Sequence, residues 1–405
     1  MKKVIDKEEG NNRRDFLKKC SLSTVPFLLP TVGLNAMSWS ENKTLDSVNN
    51  PEVAVNFIYD GLNLSPRQYL KKLTEIDERE SLEPDFYGNG GTTRALEEKF
   101  AKLTGKGKAI YLPTGTMANQ LAIKLLNGNN TKVIVPENSH IFRDEADASQ
   151  SVHSLRLVPI GKDKSYFQLD DLVSTVKYID ENEVFRSGLG TVVVENPIRR
   201  ANGTAIPIAT LKEIRAYCKN NGYKMHLDGA RIHLASAFTN VSVEEYASYF
   251  DTVYVSLYKY LNANGGAMLC GDAEIIDQIS HQRKILGGNM FQNWNNTAIA
   301  LHYLDGITER LHQVVVTAKI LIIELNKIDG ITISPTKNGT NIYTLNLADN
   351  INSKELAEKL FEEHNILIRP SENGMLRFAV NESLLTRDVQ EIINAWKTAV
   401  NHLRK

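Results

Sequence analysis

Residues 223–231 read YKMHLDGAR and residues 251–261 read DTVYVSLYKYL. Each holds a short apolar run that closes on a charged group, Asp228 in the first and Lys259 in the second. One charged residue at a strand end is ordinary. An acid and an amine about thirty residues apart, each at the end of a strand-like run, set a narrower expectation. In open α/β sheets, ligands bind at the carboxyl ends of the strands. The two runs belong to a longer series. KAIYLPTG (108–115), KVIVPE (132–137), SLRLVPI (154–160), GTVVVENP (190–197) and GGAMLCG (265–271) are further short apolar runs.

Helical patterns lie between many of these runs. PRQYLKKLTEI (66–76) reads as a helix opened by proline, and TRALEEKFAKLTG (93–105) as an amphipathic helix stopped by Gly105. TMANQLAIKLLNG (116–128) and IATLKEIRAYCKNNG (208–222) also end in glycine. Strands alternating with helices predict an α/β fold with a mainly parallel sheet covered by helices. The pattern changes after about residue 305. A long helix over 309–328 precedes TNIYTLNL, a helix over 353–365, the strands ILIRPS and MLRFAV, and a last helix within 384–404. These predict a smaller C-terminal α+β domain. The expected organisation is a leader over 1–36, a polar linker over 37–50, a large domain with an N-terminal arm over 51–305 and a small domain over 306–405.

The leader is inferred from Arg13 and Arg14 followed by Phe16, Leu17 and Lys18, then the apolar SLSTVPFLLPTVGL and small residues near Ala36. This is the layout of a signal peptide, and the arginine pair resembles a twin-arginine signal. The alternative is a basic amphipathic N-terminal helix. The apolar run is too short and too broken by proline to span a bilayer, so no stable membrane insertion is expected after its removal. An exported, periplasmic location follows from the leader, and a cytoplasmic one if the segment is not a signal. The 405 residues carry a net charge of −1, with 42% apolar and 23% charged residues. That balance fits a soluble globular protein and gives no electrostatic case for nucleic acid. Cys20, Cys218 and Cys270 form neither a disulfide framework nor a metal-binding spacing, though a single bridge stays open.

Four features carry chemistry. Lys259, just past a buried strand, would have its amine pKa lowered by desolvation and could form a Schiff base with an aldehyde, although most lysines at strand ends are simply solvated. Asp228 could hold a pyridine nitrogen protonated, as pyridoxal phosphate requires, or could cap the helix that begins near Gly229. In LPTGTMANQ (112–120) a strand runs into a helix through Thr114, Gly115 and Thr116. Free N–H groups at such a helix start attract phosphate, and Gly115 allows close backbone approach. Thr116 could contact the anion or cap the helix. His140, in a loop beyond a strand, could cover a cofactor ring and move a proton, or be structural.

YGNGGTTRALEEKFAKLTGK, LPTGTMANQLA, SHIFRDEA, HLDGARI, SLYKYLNANGGAMLCG and RKILGGNMFQ occur in the order and spacing of the threonine aldolases. The chain therefore resembles the threonine aldolase and β-eliminating lyase group of fold-type I pyridoxal-phosphate enzymes, over roughly residues 55 to 395. The resemblance implies that Lys259 binds the cofactor covalently, that Asp228 pairs with its ring nitrogen, and that Gly115 and Thr116 hold its phosphate. It implies that His140 stacks on the ring and moves the β-hydroxyl proton, and that Arg231 and Arg377 bind the substrate carboxylate. It also implies that Arg283 reaches the phosphate of a neighbouring subunit, so that the protein is a homodimer or homotetramer. The implied activity is cleavage of a β-hydroxy-α-amino acid of the L-threonine or L-allo-threonine type to glycine and an aldehyde. Elimination or racemisation of another small amino acid is the alternative, and an exported amino-acid-binding protein without turnover is a third. The departures are Tyr59 where the family has a carboxylate-binding serine, Tyr258 and Tyr260 flanking the lysine where small residues are usual, NGG in place of PVG, and NMFQNW in the glycine-rich loop. They cluster toward the substrate.

Overall fold

The computed structural model describes residues 53–371 and 374–404. The expected leader over 1–36 and linker over 37–50 lie outside the described residues. Everything described belongs to one compact unit.

The first strand, β1 (Val55–Asn56), precedes seven strands that build the main sheet. These are β2 (Lys108–Leu112), β3 (Lys132–Pro136), β4 (Arg156–Ile160), β5 (Leu189–Glu195), β6 (Lys224–Asp228), β7 (Thr252–Ser256) and β8 (Ala267–Gly271). Their order is β2-β8-β7-β6-β5-β3-β4. Neighbours from β7 through β6, β5 and β3 to β4 are parallel, whereas β8 runs antiparallel to both β2 and β7. Every residue of β3, β7 and β8 is buried, as expected where helices cover both faces.

The predicted helices form where their caps allow. Ser65 and Gln68 make a reciprocal capping box that starts the helix Pro66–Arg79. Gly105 adopts φ 62° and ends the helix Gly91–Thr104. The last helix, Val389–Leu403, starts later than the pattern suggests. Asp388 caps it, and Glu382–Thr386 forms a separate 3₁₀ turn.

The smaller part holds β9 (Ile331–Pro335), β10 (Ile342–Leu347), β11 (Ile366–Leu367) and β12 (Met375–Ala379). β12, β10 and β9 form an antiparallel sheet in that order. β1 pairs in parallel with β11, so the start of the N-terminal arm joins the small part. Phe57 explains this: it stacks on Phe378 at 4.1 Å and meets Trp396 edge-on at 6.0 Å. One hydrophobic core runs through both parts. Cys218 and Cys270 are buried and unbridged. Among the described residues no helix is long and apolar enough to cross a membrane.

Candidate active site

Three parallel strands deliver the central groups. Glu195 ends β5, Asp228 ends β6, and the two are register partners. Asp228 is also opposite Tyr254 on β7. Lys259 lies three residues beyond the end of β7, in a tight loop in which Asn262 N–H donates to the Lys259 carbonyl. The arm holds this loop in place. A Cβ on Gly61 would lie 2.3 Å from the Lys259 carbonyl oxygen, and Leu62 N–H donates to Asn262 Oδ1 at 2.8 Å. Lys259 is 7% exposed. Burial is the main force lowering its pKa, with the Arg231 charge adding to it and Tyr258, Asp60 and Asp228 opposing. Its Nζ lies 3.2 Å from Tyr258 Oη and 4.3 Å from the centre of that ring.

A buried polar network fixes Asp228 and His140. Asn119 Nδ2 donates to Asp228 Oδ2 at 3.2 Å and to Glu145 Oε1 at 2.8 Å. The Asn119 Oδ1 then accepts from His226 Nε2 at 3.0 Å, which leaves His226 Nδ1 to accept from Thr252 Oγ1 at 2.8 Å. Burial holds the His226 pKa down to about 4, so the ring is neutral as this tautomer requires. Glu145 Oε1 also bonds His140 Nδ1 at 3.0 Å, so Nδ1 is the donor and Nε2 faces away from that bond. Burial alone would lower the His140 pKa, but the Glu145 bond and the charges of Asp228, Glu145 and Glu195 raise it. The His140 backbone N–H donates to Glu195 Oε2 at 2.7 Å. Glu195 itself is pushed up to about 7, first by burial and then by Asp228 beside it.

The phosphate-type helix start is Gly115–Asn127. Its cap is Thr114, whose Oγ1 accepts from Met117 N–H at 3.1 Å, so Thr116 lies inside the first turn and does not cap. Gly115 has no room for a side chain, because a Cβ there would lie 2.1 Å from Tyr254 Oη. Tyr254 is the strand neighbour of Asp228, so the helix start and the strand ends meet through it.

The two carboxylate-binding candidates differ. Arg231 donates through Nε and Nη2 to the two oxygens of Asp60, at 2.8 and 2.7 Å. Burial opposes the Asp60 charge, but Arg231 outweighs it and holds that carboxyl well below its ordinary range. The Nε–Nη2 edge of Arg231 is therefore engaged by Asp60 inside the protein. Arg377, on β12, makes no hydrogen bond or ion pair among the described residues. The charges it senses are Asp60, Arg231, Arg199 and Tyr260. Tyr59 is 44% exposed and lines a cavity of about 300 Å³ with Asp60, Tyr258, Lys259, Asn262 and Asn264.

Arg283 lies near the end of the helix Ala273–Ile285. It is buried, and its guanidinium donates to the Tyr111 carbonyl at 2.8 Å, the Tyr87 carbonyl at 3.3 Å and Asn289 Oδ1 at 2.8 Å. Each of its three nitrogens makes one hydrogen bond within its own chain. The next residue on the helix, Lys284, is the exposed base, 5.9 Å from the Tyr87 ring. Sequence reasoning passed over Asp60, Asn119, Glu145, Glu195 and His226, although Asn119, Glu145 and His226 lie within motifs it singled out.

Seven strands in this order, with small-domain strands folded against them and an amine and an acid at adjacent strand ends, define a fold-type I enzyme scaffold. The chain belongs to the β-eliminating lyase family, whose sequence model matches residues 77–348. It is 32% identical to a low-specificity L-threonine aldolase of Candida albicans over 54% of this chain and 58% of that one. It is equally identical, 32%, to the alanine racemase TOXG of Cochliobolus carbonum, over 54% of this chain and 56% of that one. The chain thus spans little more than half the length of these relatives. Among solved structures it resembles a putative L-allo-threonine aldolase from Listeria monocytogenes with a TM-score of 0.72 and 23% identity, covering 89% of this chain and 99% of the other. Solved chains of the same fold include ones with pyridoxal phosphate bound.

Proposed function

We propose that the protein is a pyridoxal-phosphate-dependent carbon–carbon lyase of the threonine aldolase type. Its substrate would be a β-hydroxy-α-amino acid of the L-threonine or L-allo-threonine type, cleaved to glycine and an aldehyde. The observation that carries this is the buried Lys259 amine and Asp228 carboxylate brought beside a helix start too close to Tyr254 for any side chain on Gly115. That set fits the cofactor. Lys259 would attach it, Asp228 would keep its ring nitrogen protonated, and the N–H groups of the turn at Gly115–Thr116 would bind its phosphate. When bound, the cofactor supplies an electron sink for the bond that breaks at Cα.

The protein's own groups do the rest. Arg377 offers an uncommitted guanidinium for the substrate carboxylate. His140, made more basic by Glu145, takes the β-hydroxyl proton through Nε2. The arm, pressed on the Lys259 loop at Gly61, fixes that loop beside the cavity that Gly61, Tyr258 and Lys259 line together. A second reading, racemisation or elimination at a small amino acid, is favoured by the three tyrosines at positions 59, 258 and 260 and by the match to an alanine racemase.

The test is turnover of the purified protein with added pyridoxal phosphate on L-threonine, L-allo-threonine and L-serine. Glycine plus aldehyde and oxo-acid plus ammonia are assayed separately. The expected result is glycine and acetaldehyde from at least one threonine, with Lys259→Ala losing the cofactor's visible absorbance. Oxo-acid without glycine, or alanine racemisation without cleavage, would replace the aldolase assignment with the second reading.

A further inference from the structure

Lys259 is 7% exposed, yet a lysine that exchanges protons with a substrate must also exchange them with solvent. Among the described residues, Tyr258 Oη is the only hydrogen-bond partner of Lys259 Nζ, at 3.2 Å. Tyr258 is 46% exposed and lines the cavity of about 300 Å³ into which Lys259 also opens. Adjacent residues in an extended chain point apart. Here a tight loop closed by the Ala263 N–H to Leu257 carbonyl bond at 3.1 Å contains both residues, and the ammonium lies 4.3 Å from the tyrosine ring centre. The hydroxyl is thus in contact with the buried amine and within a residue that reaches water.

We propose that Tyr258 is a proton relay between Lys259 and the solvent of this cavity, an acid–base residue additional to His140. The inference rests on the pyridoxal-phosphate reading of Lys259. The step is balanced without a further reactant. The Lys259 ammonium gives a proton to Tyr258 Oη as Tyr258 releases its own hydroxyl proton to a water. The amine becomes neutral, the phenol stays neutral, and the water carries the charge away. The reverse recharges the lysine. Bonds to hydrogen are exchanged and none to carbon is touched, so the relay sets how fast a proton taken from Cα mixes with solvent.

The experiment incubates the holoenzyme with glycine in D₂O and follows deuterium entering Cα, for the wild type, Tyr258→Phe and Tyr258→Ala. Loss of the hydroxyl is expected to slow exchange about 100-fold, the lower end of a general acid–base contribution, equally in both variants. The cofactor's visible absorbance and the KM for glycine should change little in Tyr258→Phe. A second readout uses the cofactor-free protein. The pH dependence of Lys259 labelling by an amine-directed reagent, read by mass spectrometry, should shift to lower pH in Tyr258→Phe, because an acceptor for the ammonium is gone. Wild-type exchange in Tyr258→Phe with a defect only in Tyr258→Ala would overturn the relay and leave a packing role for the ring. An unshifted labelling profile would also count against it. Absence of cofactor absorbance in the wild type would instead defeat the underlying cofactor reading.

Discussion

Arg231 and Arg377 face the same charged cluster, and they are distinguished by what already occupies them. Arg231 is buried with its Nε–Nη2 edge on the two oxygens of Asp60, at 2.8 and 2.7 Å. Removing it would strand a partly buried carboxylate, the costly way to break such a pair. Arg377 carries no such partner among the described residues and is exposed on β12. Its loss should therefore appear in substrate binding and not in folding. A hydrogen bond to a charged group contributes about 1.5–3 kcal/mol, so Arg377→Ala is expected to raise the KM for the amino acid by about 10- to 100-fold. Its thermal midpoint should stay near that of the wild type. Arg231→Ala should lower the midpoint by several degrees, and at ordinary pH the effect should persist. The sign follows from Asp60: its folded pKa is depressed, so the pair stabilises above the ordinary carboxylate range and is lost only as pH falls through the folded value. Steady-state kinetics and melting curves of the two variants make the comparison. A KM effect confined to Arg231→Ala would reverse the two roles.

At the level of the strands, the ends of β5 and β6 set two buried carboxyls side by side, Glu195 and Asp228. Like charges at close quarters cannot both ionise cheaply, and Glu195 yields, its pKa pushed up to about 7 by burial and then by Asp228. A carboxyl whose folded pKa exceeds its unfolded one stabilises most when protonated. That contribution is complete below the ordinary value of 4.5 and disappears as pH rises through about 7. The cofactor-free wild type should thus lose stability between about pH 5 and pH 8 relative to Glu195→Gln, measured by urea unfolding at both values. Parallel pH dependence in the two proteins would refute this pairing of charges. The strand ends also indicate what a sequence can reveal. Asp228, Lys259, Gly115 and His140 were legible because each closes an apolar run or opens a helix, and such boundaries are local. Glu195 closes an equally clear run, GTVVVENP, but its meaning depends on a register partner in another strand. Asn119 carries no local signal, because its bonds join elements far apart in the chain, whereas Glu145 also bonds His140 five residues away. The choice between Arg283 and Lys284 turns on about 100° of helix rotation, which local composition does not fix. The β1–β11 pairing links residues more than three hundred positions apart, beyond any local pattern.

Across the described residues, several large apolar side chains stay exposed, and some of them lie near the candidate site. Phe86, Tyr87, Ile285, Met290 and Phe291 are 51%, 48%, 63%, 52% and 57% exposed. Three of them form an aromatic cluster, with Phe291 lying 5.6 Å from Phe86 and 5.4 Å from Tyr87 between ring centres. The cluster is held in shape from below. Tyr87 N–H donates to the Phe291 carbonyl at 2.9 Å, and buried Arg283 ties the Tyr87 carbonyl to the end of β2. A rigid group of exposed aromatic side chains is the kind of surface that marks a protein interface. The same loop reaches the helix start at the candidate site, where a Cβ on Gly288 would lie 2.6 Å from Met117 Sδ. A second copy seated on this face would therefore border the turn proposed to bind phosphate, with exposed Lys284 beside Tyr87. The protein is expected to sediment as a dimer or larger assembly. Phe291→Glu should shift it toward monomer, because a charge would have to be buried without a partner. The dissociated form should also retain pyridoxal phosphate less well on gel filtration. A monomeric wild type would remove the oligomer from the functional picture. A Phe291→Glu protein that still sediments as an oligomer would place the interface on another face, and the aromatic cluster would then be free for a different partner.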